Sequence, residues 1–70
     1  MIEVSPHYID GIKEGRAAFE RHGIEWAADE LRNLNSTIKG FAASTPVGQM
    51  LRGERDFWLN QQRVAGRVAR

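Results

Sequence analysis

Apolar side chains recur at helical intervals in three separate stretches of this chain, and nowhere alternate as they would in a half-buried strand. Ser5-Pro6 opens the first stretch. A serine oxygen accepts from exposed backbone N–H groups, and proline at the first helical position gives up a donor that has no partner there. Tyr8, Ile12, Gly15 and Phe19 follow on one face, and His22-Gly23 closes the segment, with glycine in the left-handed cap. In the second stretch Ile24, Ala27, Leu31, Leu34, Ile38 and Phe41 keep an alternating three-four spacing, the seam of a helical hairpin or short coiled coil. Gly40 to Thr45 interrupts it, because the residue before Pro46 is pushed out of helical geometry. Thr45-Pro46 then starts a third helix as Ser5-Pro6 started the first, with a stripe of Val47, Met50, Leu51, Phe57, Trp58, Val64, Ala65 and Val68. The pattern predicts one all-α domain over residues 1–70. It has a loose lead over 1–4, helices over 6–22, 24–40 and 46–66, and a hairpin joined by a third helix.

Gly11 and Gly15 change that picture in one respect. Each costs about 1 kcal/mol against alanine in a helix interior, so their presence predicts a second helix at close range. Gly48 and Gly53 are expected to permit close packing in the same way, since Gly48–Gly53 lacks the Lys-Ser/Thr ending of a phosphate loop.

A chain of 70 residues buries only roughly 60% of its unfolded surface and commonly needs extra support. With no cysteine, disulfides and thiolate metal sites are excluded, which leaves oligomerisation; a helical homodimer is the expectation. Ile12, Phe19, Leu31, Leu34, Ile38, Phe41 and Phe57 are its expected core and dimer residues. The absence of cysteine also suits a reducing cytoplasm. No stretch can span a bilayer, and residues 1–20 lack the basic start and apolar run of a secretory signal. Net charge is +1, but residues 1–31 carry seven acids and three bases (−4) and residues 32–70 carry seven bases and two acids (+5). An acidic front and basic back favour antiparallel packing, within one chain or between two.

Catalytic chemistry is thin. His7, Asp10 and Glu14 lie a turn apart, but the His-Glu-x-x-His spacing is absent and acidic groups early in a helix suit the dipole, so no metal or other cofactor is expected. The serines and threonines have no nearby histidine in sequence, and Ser5 and Thr45 are occupied as caps. A non-enzymatic protein follows, and arginines are its most informative surface groups. Arg52 and Arg55 lie one turn apart, and Arg63, Arg67 and Arg70 continue at spacings of four and three. Neighbours on a helix differ by about 100°, so Phe57 and Trp58 cannot both enter one narrow core. Tryptophan and arginine are frequent interface anchors. Arg16, Lys39, Arg52, Arg55 and Trp58 are therefore the expected partner-binding residues. For Arg16 the competing expectation is an i,i+4 pair with Glu20, and for Trp58 it is a place in the core, given the apolar area an indole offers. Dedicated nucleic-acid binders are more basic than this chain, so a protein partner is favoured.

Residues 5–19, from Ser5-Pro6-His7-Tyr8 to Ala18-Phe19, and 45–58, from Thr45-Pro46-Val47-Gly48 to Phe57-Trp58, resemble small early proteins of Mu-like bacteriophages of Pseudomonas, in particular the phage quorum-sensing anti-activators. That resemblance implies a compact helical dimer in the host bacterial cytoplasm. It would bind the DNA-binding part of a LuxR-type transcription activator, and also the type IV pilus assembly ATPase. A second similarity is to ribosome modulation factor, through Tyr8, Gly11 and Gly15 and then Leu51-Arg52-Gly53 and Trp58. It implies an RNA- or ribosome-binding role, against which the acidic first half counts.

Overall fold

A computed structural model describes residues 5–68, and they form three α-helices and one short 3-10 turn, with no strand among them. The expected lead over 1–4, the side chain of Val68 and Arg70 lie outside what is described. Helix α1 spans Pro6–His22, the 3-10 turn Ile24–Trp26, α2 Ala27–Ile38 and α3 Pro46–Val68. Ser5 and Thr45 cap their helices as their sequence positions predict, whereas Gly23 takes a positive φ with an extended ψ of −179° rather than the expected left-handed helical conformation. Ser5 Oγ accepts from the backbone N–H of His7 at 3.1 Å and of Tyr8 at 3.4 Å. Thr45 Oγ1 accepts from Gly48 N–H at 3.0 Å and donates to the Ala42 carbonyl at 2.7 Å. Gly23 has φ 78°, the sole positive φ among the described residues, and its N–H reaches the Phe19 carbonyl at 2.7 Å.

Helix α2 is shorter than the expected 24–40. At its start, Gly23 turns the chain and Trp26 N–H closes on the Gly23 carbonyl at 3.3 Å, so Ile24 sits in a tight turn and is exposed. At its end, Gly40 and Phe41 bond back three residues, to Thr37 and Ile38, which winds the chain out of the helix. Phe41 is consequently not a core residue. The turn carries it past the seam, and it stays 42% exposed.

Helix α3 is the centre of the molecule. Helices α1 and α2 each pack on it but not backbone to backbone on one another, so the consecutive helices in contact are α2 and α3. The α1–α3 pair runs parallel. Ser5 meets Gln49, Gly11 lies against Met50 and Glu54, and Gly15 lies against Phe57, in rising order on both helices. The antiparallel arrangement expected from charge therefore does not hold for these two helices. Backbone contact decides their geometry: a Cβ on Gly11 would fall on the Met50 carbonyl oxygen, and one on Gly53 on the Tyr8 carbonyl oxygen, well inside contact distance. Glycine in both positions lets the two backbones touch, which explains its use in two helix interiors despite its poor propensity.

The core is small. Ala27, Leu31, Leu34 and Ile38 of α2 are buried together with Trp58 of α3, and Ala18, Phe19, Leu51 and Phe57 pack against them. Ile12 is half-buried on α1. On α3 the expected stripe is only partly covered, since Val47, Met50 and Val64 remain exposed. Leu34 is 4% exposed at the middle of the seam. Leu34→Asp is accordingly expected to unfold the protein, because it places an unpaired carboxylate against Trp58 and Leu31. Loss of helical circular dichroism at 25 °C checks this, and an unaltered melting curve would mean that the seam is misassigned.

Candidate functional site

The surface that α1 and α3 leave between them carries the most distinctive geometry. A groove of about 430 Å³ is lined by Ile12, Arg16, Phe19, Glu20, Phe57 and Gln61. Ile12, Arg16 and Phe19 share one face of α1 at spacings of four and three, while Phe57 and Gln61 lie one turn apart on α3. Phe19 and Phe57 meet edge to face with centroids 6.0 Å apart, and Phe57 lies over Gly15, where a Cβ would come within 3.0 Å of its ring. Gly15 thus makes room for the phenyl ring, and the floor of the groove is aromatic. Its rim is charged: Arg16 Nε donates to Glu20 Oε1 at 3.3 Å, with both side chains more than two-thirds exposed. An i,i+4 pair this wet contributes only a few tenths of a kcal/mol, so the guanidinium can exchange Glu20 for another acceptor.

The other expected contact residues are placed very differently. Trp58 is the correction: it is 0% exposed, the most buried large side chain, and touches Phe19 and Phe57 edge to face. The 100° offset between neighbours was correct, but α3 is covered on two sides. Trp58 enters the α2 seam while Phe57 leans toward α1. Arg52 NH1 donates to the Gly48 carbonyl at 3.0 Å and the Phe41 carbonyl at 3.5 Å, so it clasps the α2–α3 connection. Arg55 pairs with Asp56 at 3.1 Å and is only 30% exposed. Lys39 is exposed in the turn after α2. The five residues do not converge; Arg16 alone lines the groove.

Asp56 also accepts from the Tyr8 hydroxyl at 2.6 Å. That hydrogen bond to a carboxylate, with burial and the Asp56 charge, raises the Tyr8 phenol above its ordinary range, while Arg55 opposes. The Ser5 hydroxyl donates to the Gln49 side-chain oxygen in the same seam. Tyr8–Asp56 and Ser5–Gln49 are polar clamps on the α1–α3 crossing. Neither pair is visible in sequence, because 48 and 44 residues separate the partners.

Trp26 closes the 3-10 turn before α2. It is 44% exposed, and His22 lies flat against it, with centroids 3.5 Å apart and planes within 3°. Among the described residues no group of three or more His, Cys, Asp or Glu side chains is arranged to hold a metal ion. No described helix is long and apolar enough to cross a membrane. No family model, no curated protein and no solved structure matches the chain. What the fold and surface define is a three-helix domain with a wet apolar exterior and an aromatic groove rimmed by Arg16 and Glu20.

Proposed function

We propose that the chain is a non-enzymatic, phage-type inhibitor that sequesters a host regulatory protein in the bacterial cytoplasm. The target class is the LuxR-type quorum-sensing activator, whose DNA-binding part it would cover, with the type IV pilus assembly ATPase as a second target. Both targets come from the resemblance. The working form is a homodimer.

One observation carries the binding role. Among the described residues Ile9, Ile24, Trp26, Phe41, Val47, Met50, Leu59 and Val64 are exposed, against five buried apolar side chains, so more large apolar groups there face water than fill the core. A domain this small gains by covering such surface with another chain. The Arg16 groove adds an apolar floor beside a cation that can recognise a carboxylate, the combination found at interface anchors.

The test uses a purified LuxR-type activator and its operator DNA. Adding the chain is expected to abolish the activator's gel shift. Arg16→Glu is expected to weaken that effect about tenfold or more, a loss of about 1.4 kcal/mol, with little change in melting temperature. An activator that keeps its DNA at saturating inhibitor would reject the target. If the chain itself shifts RNA or DNA at moderate salt, the RNA-binding reading replaces sequestration. The exposed Arg63 and Arg67, one turn apart on α3, are the observation that favours that second reading. Sedimentation at micromolar concentration is expected to give the dimer mass, and a compact monomer would remove the dimer.

A further inference from the structure

One copy of the chain leaves the α1–α3 groove open. Its floor residues Ile12, Phe19 and Phe57 are only half-buried. The apolar surface also runs past both ends. Ile9, 40% exposed, lies one turn before Ile12 on α1, and Val64, 46% exposed, lies one turn after Gln61 on α3. The two helices run parallel with Gly15 level with Phe57, so Ile9 and Val64 prolong the same strip at opposite ends. The charges lining the groove are Arg16 and Glu20, four residues apart on α1 and paired with each other in the wet. The rim is therefore neutral in sum, with one cation and one anion in a fixed order along the helix.

We propose that a second copy of the chain covers this strip, α1 against α1 and antiparallel, about a twofold axis level with the midpoint between Arg16 and Glu20. A twofold contact is self-complementary: where residue i meets residue j of the other copy, j meets i in return. An acid and a base on one helix face satisfy that rule only when the two helices run antiparallel. Arg16 then meets Glu20 of the second copy, and Glu20 meets its Arg16, so the pair within each copy is exchanged for two pairs between copies. Run parallel about the twofold, arginine would meet arginine. The same charge order disfavours a partner of one sign, because an acidic segment or a phosphate backbone attracted to Arg16 is repelled by Glu20 one turn away. Closing the strip takes Ile9, Ile12, Phe19, Phe57 and Val64 out of water, the gain that so small a core calls for. The pairing rests on the homodimer of the proposed function but not on its host target. With the groove closed in this way, Arg16→Glu weakens inhibition by splitting the dimer.

Sedimentation of the full chain at low salt, where surface charges are least screened, tests the pairing. The parent is expected to be a dimer at micromolar concentration. Arg16→Glu alone puts two acids on the strip and Glu20→Arg alone puts two bases there, so each is expected to raise the dimer dissociation constant about tenfold or more. Both side chains are largely exposed, so helical circular dichroism should be unchanged in either variant. An equimolar mixture of the two is expected to regain the parent's dimer, because every charge again meets its opposite. The chain carrying both substitutions is expected to regain it for the same reason. Single variants that dimerise as tightly as the parent would leave the homodimer standing and overturn this seam. A mixture no tighter than its components would overturn the antiparallel exchange. A parent that stays monomeric would remove the homodimer and the seam together. If that monomer captures a labelled peptide of alternating leucine and glutamate, and Arg16→Glu abolishes the capture, the groove belongs to a foreign acidic chain and the self-pairing is overturned.

Discussion

Gly53→Ala is expected to destabilise the protein by about 3 kcal/mol or more, the upper end of what overpacking does. The added methyl group would fall on the Tyr8 carbonyl oxygen, with the Ile12 nitrogen at 3.2 Å. Both obstacles are backbone, and a helix backbone cannot rotate aside as a side chain can. Relief requires α1 to move off α3, which also stretches the Tyr8–Asp56 and Ser5–Gln49 hydrogen bonds. Gly66→Ala is the matched control on the same helix. Nothing lies within 4 Å of the new Cβ there, so helix propensity acts alone and should stabilise by up to about 1 kcal/mol. Urea denaturation of the two variants measures the contrast. Equal midpoints would mean that the helices do not touch at Gly53.

Trp58→Ala has the second largest expected effect. Removing a fully buried indole from the seam of Ala27, Leu31, Leu34 and Ile38 should cost about 3–5 kcal/mol, which leaves little of the stability expected of a domain this size. Trp58→Phe should be far milder. The indole Nε1 is buried without a hydrogen-bond partner, and an unpaired buried donor costs about 1–3 kcal/mol. Phenylalanine deletes that donor while keeping most of the aromatic bulk, so the gain offsets part of the cavity, and a loss under about 2 kcal/mol is expected. Chemical denaturation of both variants separates the two contributions. Equal losses would show that Nε1 has found an acceptor.

These two positions also show why the site was only partly legible. Arg16 could be picked out as a surface cation between small neighbours, Gly15 and Ala17, and it does line the groove. Trp58 is misplaced as a contact residue by sequence alone, because a helix wheel gives the angle between Phe57 and Trp58 but not how many sides of the helix are covered. Arg52 and Arg55 look like free cations in a list of residues. Their partners are a carbonyl at Phe41, in a turn whose path depends on where α2 stops, and a neighbouring aspartate that also serves Tyr8.

The sequence by itself determined the three helices, their serine and threonine caps, the break before Pro46 and the Leu31–Leu34–Ile38 seam. Those features depend on periodicity and on groups within a few residues of one another. Only the tertiary structure decided that α3 is central, that α1 runs parallel to it, and that Trp58 points inward and Phe41 outward. The parallel α1–α3 pair follows from how close two backbones can come at Gly11 and Gly53, and steric fit between residues some forty positions apart leaves no periodic trace along the chain.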